Sequence, residues 1–210
     1  LALGSLADVD LQQRITSRRG EFLLFALTPP RLSTAPAAAQ EIADVTFERL
    51  RPLDLDGLIL YDIDDEADRN PAERPFPFLP TMDPGDYLDR HLEAWPTPVV
   101  VYRATAKYTE DELRDWIGCQ DPATRMTVFV GAPSGEKRVE TTLRRAQQQR
   151  AEIAADLLLG AVAIPERHTR KGEEHLRLIA KQEAGCSYFV TQVVYDVNAA
   201  KNLVSDYAYE

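Results

Sequence analysis

Six short apolar runs rich in β-favouring residues punctuate the chain: 21–28 (EFLLFALT), 57–62 (GLILYD), 98–104 (PVVVYRA), 126–131 (MTVFVG), 158–164 (LLGAVAI) and 188–195 (YFVTQVVY). Each is nearly continuous in its apolar character, as a strand is when a parallel sheet buries both its faces. Between the runs, helical spacing takes over and predicts helices at 36–51, 83–94, 109–117, 136–156, 172–183 and 197–207. The first of these carries Ile42, Val45, Phe47 and Leu50 at that spacing. Start signals support the assignment: Asp83 before Pro84, Thr109 before three acids, and Asp196 before the last helix. Strand starts recur about every 30–40 residues, the size of one βα unit.

Six such units predict an α/β fold, a TIM-type (β/α)8 barrel with about six of its eight βα units in this chain. Residues 1–20 read as an N-terminal helical extension. Residues 21–210 read as the barrel domain, C-terminally incomplete because a closed barrel of this kind runs to about 250 residues. Residues 62–84 break the alternation and hold five of the fourteen prolines. A stretch of this kind after a strand is either a functional loop on the C-terminal face or a proline-stiffened, solvated one.

Composition narrows the partners. Hydrophobic residues make up 44% and charged residues 28%, as in an average globular chain. The net charge of −10 has the wrong sign for a nucleic-acid or anionic-membrane binder. No run approaches the roughly 18–20 apolar residues of a membrane span, and the N-terminus lacks the pattern of a secretory leader. Cys119 and Cys186 stand far apart without metal spacing, so they are expected to be buried or half-buried thiols of a reducing, cytoplasmic setting.

Candidate chemistry gathers at predicted strand ends. Asp62 and Asp64 follow the second strand, while Tyr102, Arg103 and Thr105 end the third. Arg103 is a candidate to bind a substrate carboxylate or phosphate, or else to pair with Asp62. The cluster Asp62, Asp64, Asp65, Glu66 and Asp68 lacks the glycine and final glutamate of a calcium loop. His168 and His175 are seven apart, which is not the helical spacing of a zinc pair, and no metal is expected. His91 reads as solvent-facing, and Arg138, Arg144, Arg145 and Arg150 as one solvated helix face. The stretch 131–135 (GAPSG) has no phosphate-loop lysine, though its backbone could form an anion nest.

One segment is more specific. Residues 160–197 present Pro165, Glu166, His168, Lys181, Ala184, Gly185, Thr191, Gln192 and Asp196 in a fixed order. This is a strand ending in Pro-Glu-x-His, a helix ending in Lys-x-x-Ala-Gly, and a strand bearing Thr-Gln and closing with Asp. In that order, and in Pro29-Pro30 after the first strand, the chain resembles the methylenetetrahydrofolate reductase family. The resemblance implies FAD at the barrel mouth and hydride from NADH or NADPH, reducing 5,10-methylenetetrahydrofolate to 5-methyltetrahydrofolate. It implies that Gln192 hydrogen-bonds the pterin, and that His168, Glu174 and Lys181 contact the flavin.

The chain also departs from the family pattern. Ala26 stands where the family carries its acid, Val130-Gly131-Ala132 where it carries Arg-Gly-Asp, and Ile164 where it carries an aromatic residue. Two functional expectations follow. One is a folate oxidoreductase of one-carbon metabolism. The alternative is a diverged, non-redox folate-binding or partner subunit. Direct hydride transfer without flavin, or another methyl-group reaction, is a third. In each case the ligand is a folate-type small molecule, and the protein could form a homo-oligomer.

Overall fold

A computed structural model describes residues 11–64, 79–132 and 139–210. All six apolar runs form strands, and the strands form one sheet: β1 (Leu24–Leu27), β2 (Gly57–Leu60), β3 (Val99–Ala104), β4 (Arg125–Val130), β5 (Leu158–Ala163) and β6 (Tyr188–Thr191). Sequence neighbours are sheet neighbours and every pairing is parallel. Parallel neighbours require a crossover, which helices supply. These are α2 (Pro36–Leu50), α3 (Pro84–His91), α4 (Glu110–Gly118), α5 (Leu143–Ile153), α6 (Pro165–Lys171) and α7 (Glu174–Glu183). Helix α1 (Leu11–Ser17) precedes the sheet and α8 (Val197–Tyr209) follows it. The architecture is a partial TIM-type α/β fold.

Strand parity divides the core into two layers. Leu58, Leu60, Val99 and Val101 point outward against Ala43, Tyr87 and Leu88 of the helices. Phe129, Leu159 and Ala161 do the same against Leu113, Ile117 and Ala146. The alternate residues Ile59, Val100, Tyr102, Met126 and Val128 fill the inner, concave side together with Leu11 of α1. Because β2 and β3 are buried along their whole length, their sequences show no polar alternation. Helix α1 closes the N-terminal end of the sheet. Gln12 donates to the Pro122 carbonyl at 2.6 Å, Arg14 pairs with Asp56, and the Leu11 side chain abuts Gly57. Among the described residues, the C-terminal end stays open.

The start signals hold. Asp83 caps α3 by accepting from the Gly85 and Asp86 amides at 2.8 and 3.1 Å. Thr109 and Glu112 cap α4 reciprocally, and Asp196 caps α8. Several boundaries differ from the sequence expectations. The last strand stops at Thr191, because Pro165 turns its neighbour β5 into helix and the ladder ends with the Gln192 amide on the Ala163 carbonyl at 2.9 Å. Val193, Val194 and Tyr195 are exposed instead. The helix expected at 172–183 is α7, and a further helix that the sequence reading did not place, α6, precedes it. Gly172, at φ +65°, ends α6 in the left-handed conformation that glycine adopts without strain.

The helix expected at 136–156 begins only at Leu143, capped by Thr142. Thr141 is buried there with its hydroxyl on the Tyr108 carbonyl. Residues 136–138, residues 1–10 of the N-terminal extension, most of the 62–84 insert and residues 133–135 lie outside the described residues. Among the described residues no helix is long and apolar enough to cross a membrane.

Candidate functional site

The open end of the sheet is a cleft of about 1240 Å³ at the C-terminal ends of the strands. Strand parity selects its floor. Tyr61 continues the inner face of β2, Tyr102 that of β3, Val130 that of β4, and Val162 and Ile164 that of β5; all five line the cleft. Tyr61 and Tyr102 meet edge to face, with ring centroids 4.9 Å apart. Burial, with Tyr61 alongside, pushes the Tyr102 hydroxyl well above the ordinary phenol range, so it is a neutral donor or acceptor. This aromatic and aliphatic floor suits a flat heteroaromatic ring.

Polar groups enter from the rim. Gln192, one step past β6, lines the cleft and is exposed, its side-chain amide making no described hydrogen bond. Lys181 of α7 borders the same space and donates to the Val162 carbonyl at 2.6 Å. Burial lowers its pKa against the opposing pull of Glu174. Glu166 and Arg167 of α6 and Arg177 of α7 complete the charged margin, and Glu166 accepts from the Tyr195 amide at 3.2 Å. An amide, a lysine and two arginines around an apolar floor can hold a polar-edged ring that carries an anionic tail.

Of the other predicted residues, Asp62 also borders the cleft, while Arg103, Glu174 and His168 lie away from it. Arg103 is 4% exposed and, with the opposite parity to Tyr102, faces the helix layer. Its guanidinium carbon lies 4.1 Å from the Trp116 ring centroid and 4.6 Å from that of Tyr108. Its charge pairs with Asp83, the cap of α3. Asp62 does not pair with Arg103. Its carboxylate is wholly enclosed and accepts from the Ala104 amide at 2.7 Å and the Tyr108 hydroxyl at 2.8 Å, with Lys107 as its ion-pair partner. Asp65, Glu66 and Asp68 lie outside the described residues.

Glu174, 2% exposed, accepts from the Ile164 amide at 3.1 Å. His168 packs between α6 and α8, with Nε2 2.8 Å from Asp206. Of the three side chains that the resemblance assigns to a flavin, only Lys181 borders the cleft. His168 and Glu174 are buried and do not line it. Ala26 shares the inner face with Leu24 and adds no carboxylate.

Three further placements correct the sequence reading. His91 is half-buried on Gln40 at 2.9 Å. Arg150 is 7% exposed and donates to the Ala155 and Gly185 carbonyls, so it is no part of a solvated face. Both cysteines are free, but Cys119 is exposed and only Cys186 is buried. His168 and His175, which the spacing separates, stand edge to face 5.3 Å apart, because the chain reverses at Gly172 between them. Tyr61 was not singled out as a site residue; counting by twos from Ile59 would have placed it on the inner face.

No protein-family model matches the chain, and no curated protein matches it. Solved structures do. An uncharacterized protein from Clostridium thermocellum, described as binding two copies of 5-methyl-5,6,7,8-tetrahydrofolic acid, is 39% identical with a TM-score of 0.82. The match covers 95% of this chain and 64% of that one, so this chain spans under two thirds of the length of the clostridial protein. Two crystal forms of 2,3-dimethylmalate lyase, a PEP mutase/isocitrate lyase superfamily member, are 16% and 15% identical with TM-scores of 0.54 and 0.53. They cover 94% and 93% of this chain and 65% and 67% of theirs, a likeness of fold alone.

Proposed function

We propose that the cleft binds a reduced folate of the 5-methyltetrahydrofolate class and that the protein is a non-redox folate binder. The observation that carries this is the 39% identity, over nearly the whole chain, to a protein described as binding that folate. The cleft agrees with it chemically. Tyr61, Tyr102 and Ile164 offer an apolar bed for the pterin, Gln192 a donor and an acceptor for its edge, and Arg167, Arg177 and Lys181 positive charge for the glutamate tail. The cleft, about 1240 Å³, has room for a drug-sized ligand.

The absence of a carboxylate at Ala26 and the placement of His168 and Glu174 outside the cleft lining favour binding without hydride transfer over the reductase reading. The proposal also takes the sheet as six staves of an eight-stave barrel. Strands β1 and β6 each pair on one side only among the described residues, and open edges of this kind are normally covered.

Calorimetric titration of the chain with 5-methyltetrahydrofolate tests the reading. Saturable binding with a rise in Tm is expected, from a colourless protein that oxidises neither NADH nor NADPH in the presence of methylenetetrahydrofolate. No heat and no thermal shift would overturn the folate assignment. A flavin absorption band with turnover would restore the reductase.

A further inference from the structure

Three metal-ligating side chains from three different helices meet away from the cleft. His168 on α6, His175 on α7 and Asp206 on α8 each offer one donor atom, and these atoms lie within 4.8 Å of one another. The two rings stand edge to face, and His168 Nε2 sits 2.8 Å from Asp206 Oδ2. That pair leaves much of the imidazole chemistry unspent. Nδ1 of His168 and Nδ1 of His175 are both enclosed and hydrogen-bonded to nothing, and His168 is only 6% exposed. An enclosed ring nitrogen without a partner has given up water for nothing, which folded proteins generally avoid. Two imidazoles with unsatisfied nitrogens, gathered with one carboxylate, point to a shared cation. The chain has three histidines and places two of them here.

We propose that His168, His175 and Asp206 form a divalent transition-metal site of the zinc class, with the remaining position left to water or an exogenous ligand. Two imidazoles and one carboxylate are borderline donors, suited to zinc and its neighbours above the hard cations magnesium and calcium. Zinc–ligand distances of about 2.0–2.2 Å require the three groups to draw inward. The Asp206 side chain, 54% exposed, is free to swing and opens the site to solvent. A bound ion would tie α6, α7 and α8 together and so brace the helices that carry Glu166, Arg177 and Lys181 at the cleft margin. The inference does not depend on folate binding.

Titration of the chelator-stripped, dialysed 210-residue chain with zinc sulfate, in parallel with magnesium sulfate, tests it. One saturable zinc site per chain, a Tm that rises with zinc and not with magnesium, and visible d–d bands on cobalt(II) substitution are expected. His175→Ala and Asp206→Asn should each weaken zinc at least about tenfold, a loss seen even for groups that merely orient a ligand. Circular dichroism of both variants should match the wild type. Cys119→Ser should bind zinc as the wild type does. Absence of saturable binding, or zinc affinity unchanged in both His175→Ala and Asp206→Asn, would overturn the site.

Discussion

Tyr188 packs directly onto the Cα of Gly160, its partner across the β5–β6 ladder: a Cβ at position 160 would stand 2.3 Å from Tyr188 Cε2. The ring cannot simply swing aside, because its hydroxyl donates to the Thr127 carbonyl of β4 at 2.9 Å. Gly160→Ala should therefore destabilise the protein by about 1–3 kcal/mol through overpacking of the inner layer. Tyr188→Phe should cost about 1 kcal/mol through the lost hydrogen bond. Urea denaturation measures both; an alanine at 160 with wild-type stability would show that the strands can part without cost.

Asp83 links helix capping to the buried arginine. Burial alone would raise its pKa, but the charge of Arg103 and hydrogen bonds from the Asp86 amide, Arg103 and Tyr108 hold it below the ordinary 3.8. A folded-state pKa that is depressed adds stability present in full above the unfolded value and lost as pH falls through the folded one. Asp83→Asn keeps a capping oxygen and loses the charge pair, so at pH 7 it should be less stable by about 3 kcal/mol. That difference should shrink below about pH 4, as the wild type loses its own carboxylate. A gap that stayed constant from neutral to acid pH would assign the effect to capping.

The end of α7 uses a glycine where few other residues would serve. Gly185 has φ +93°, and the Gly185 and Cys186 amides close the helix on the Gln182 and Lys181 carbonyls. A Cβ there would also meet Arg150 Nη2 at 2.5 Å, while that same nitrogen donates to the Gly185 carbonyl at 2.7 Å. Gly185→Ala should lower stability by about 1–3 kcal/mol. Arg150→Met, which preserves length but leaves two carbonyls without their donor, should cost a similar amount. Thermal melts of the two variants and of their combination check this, and the combined loss should fall short of the sum because the groups touch.

In the cleft, Gln192→Ala should weaken 5-methyltetrahydrofolate binding by about 1–3 kcal/mol while leaving the melting temperature within a degree or two, since the side chain is exposed. Tyr102→Phe keeps the aromatic surface and should change affinity little if stacking dominates. Calorimetry on the two variants separates the contributions. Equal affinity for wild type and Gln192→Ala would remove the amide from the binding role.

The sheet was legible because continuous apolar runs such as VVVY and LLGAVA can be buried only in a two-sided parallel sheet, and because Asp83, Thr109 and Asp196 mark helix starts through local capping chemistry. Residue type and spacing along the chain were enough for the six strands and for the starts of α3, α4 and α8. What the chain alone left open was the direction of each side chain. Tyr102 lines the cleft and Arg103 turns to Trp116 and Asp83, yet both sit in a strand buried on each face, where alternation carries no polarity signal. Likewise, a spacing of seven positions separates His168 and His175 on one helix, but the turn at Gly172 brings them together. Contacts of that kind depend on packing between elements distant in sequence, so only the tertiary structure decides them.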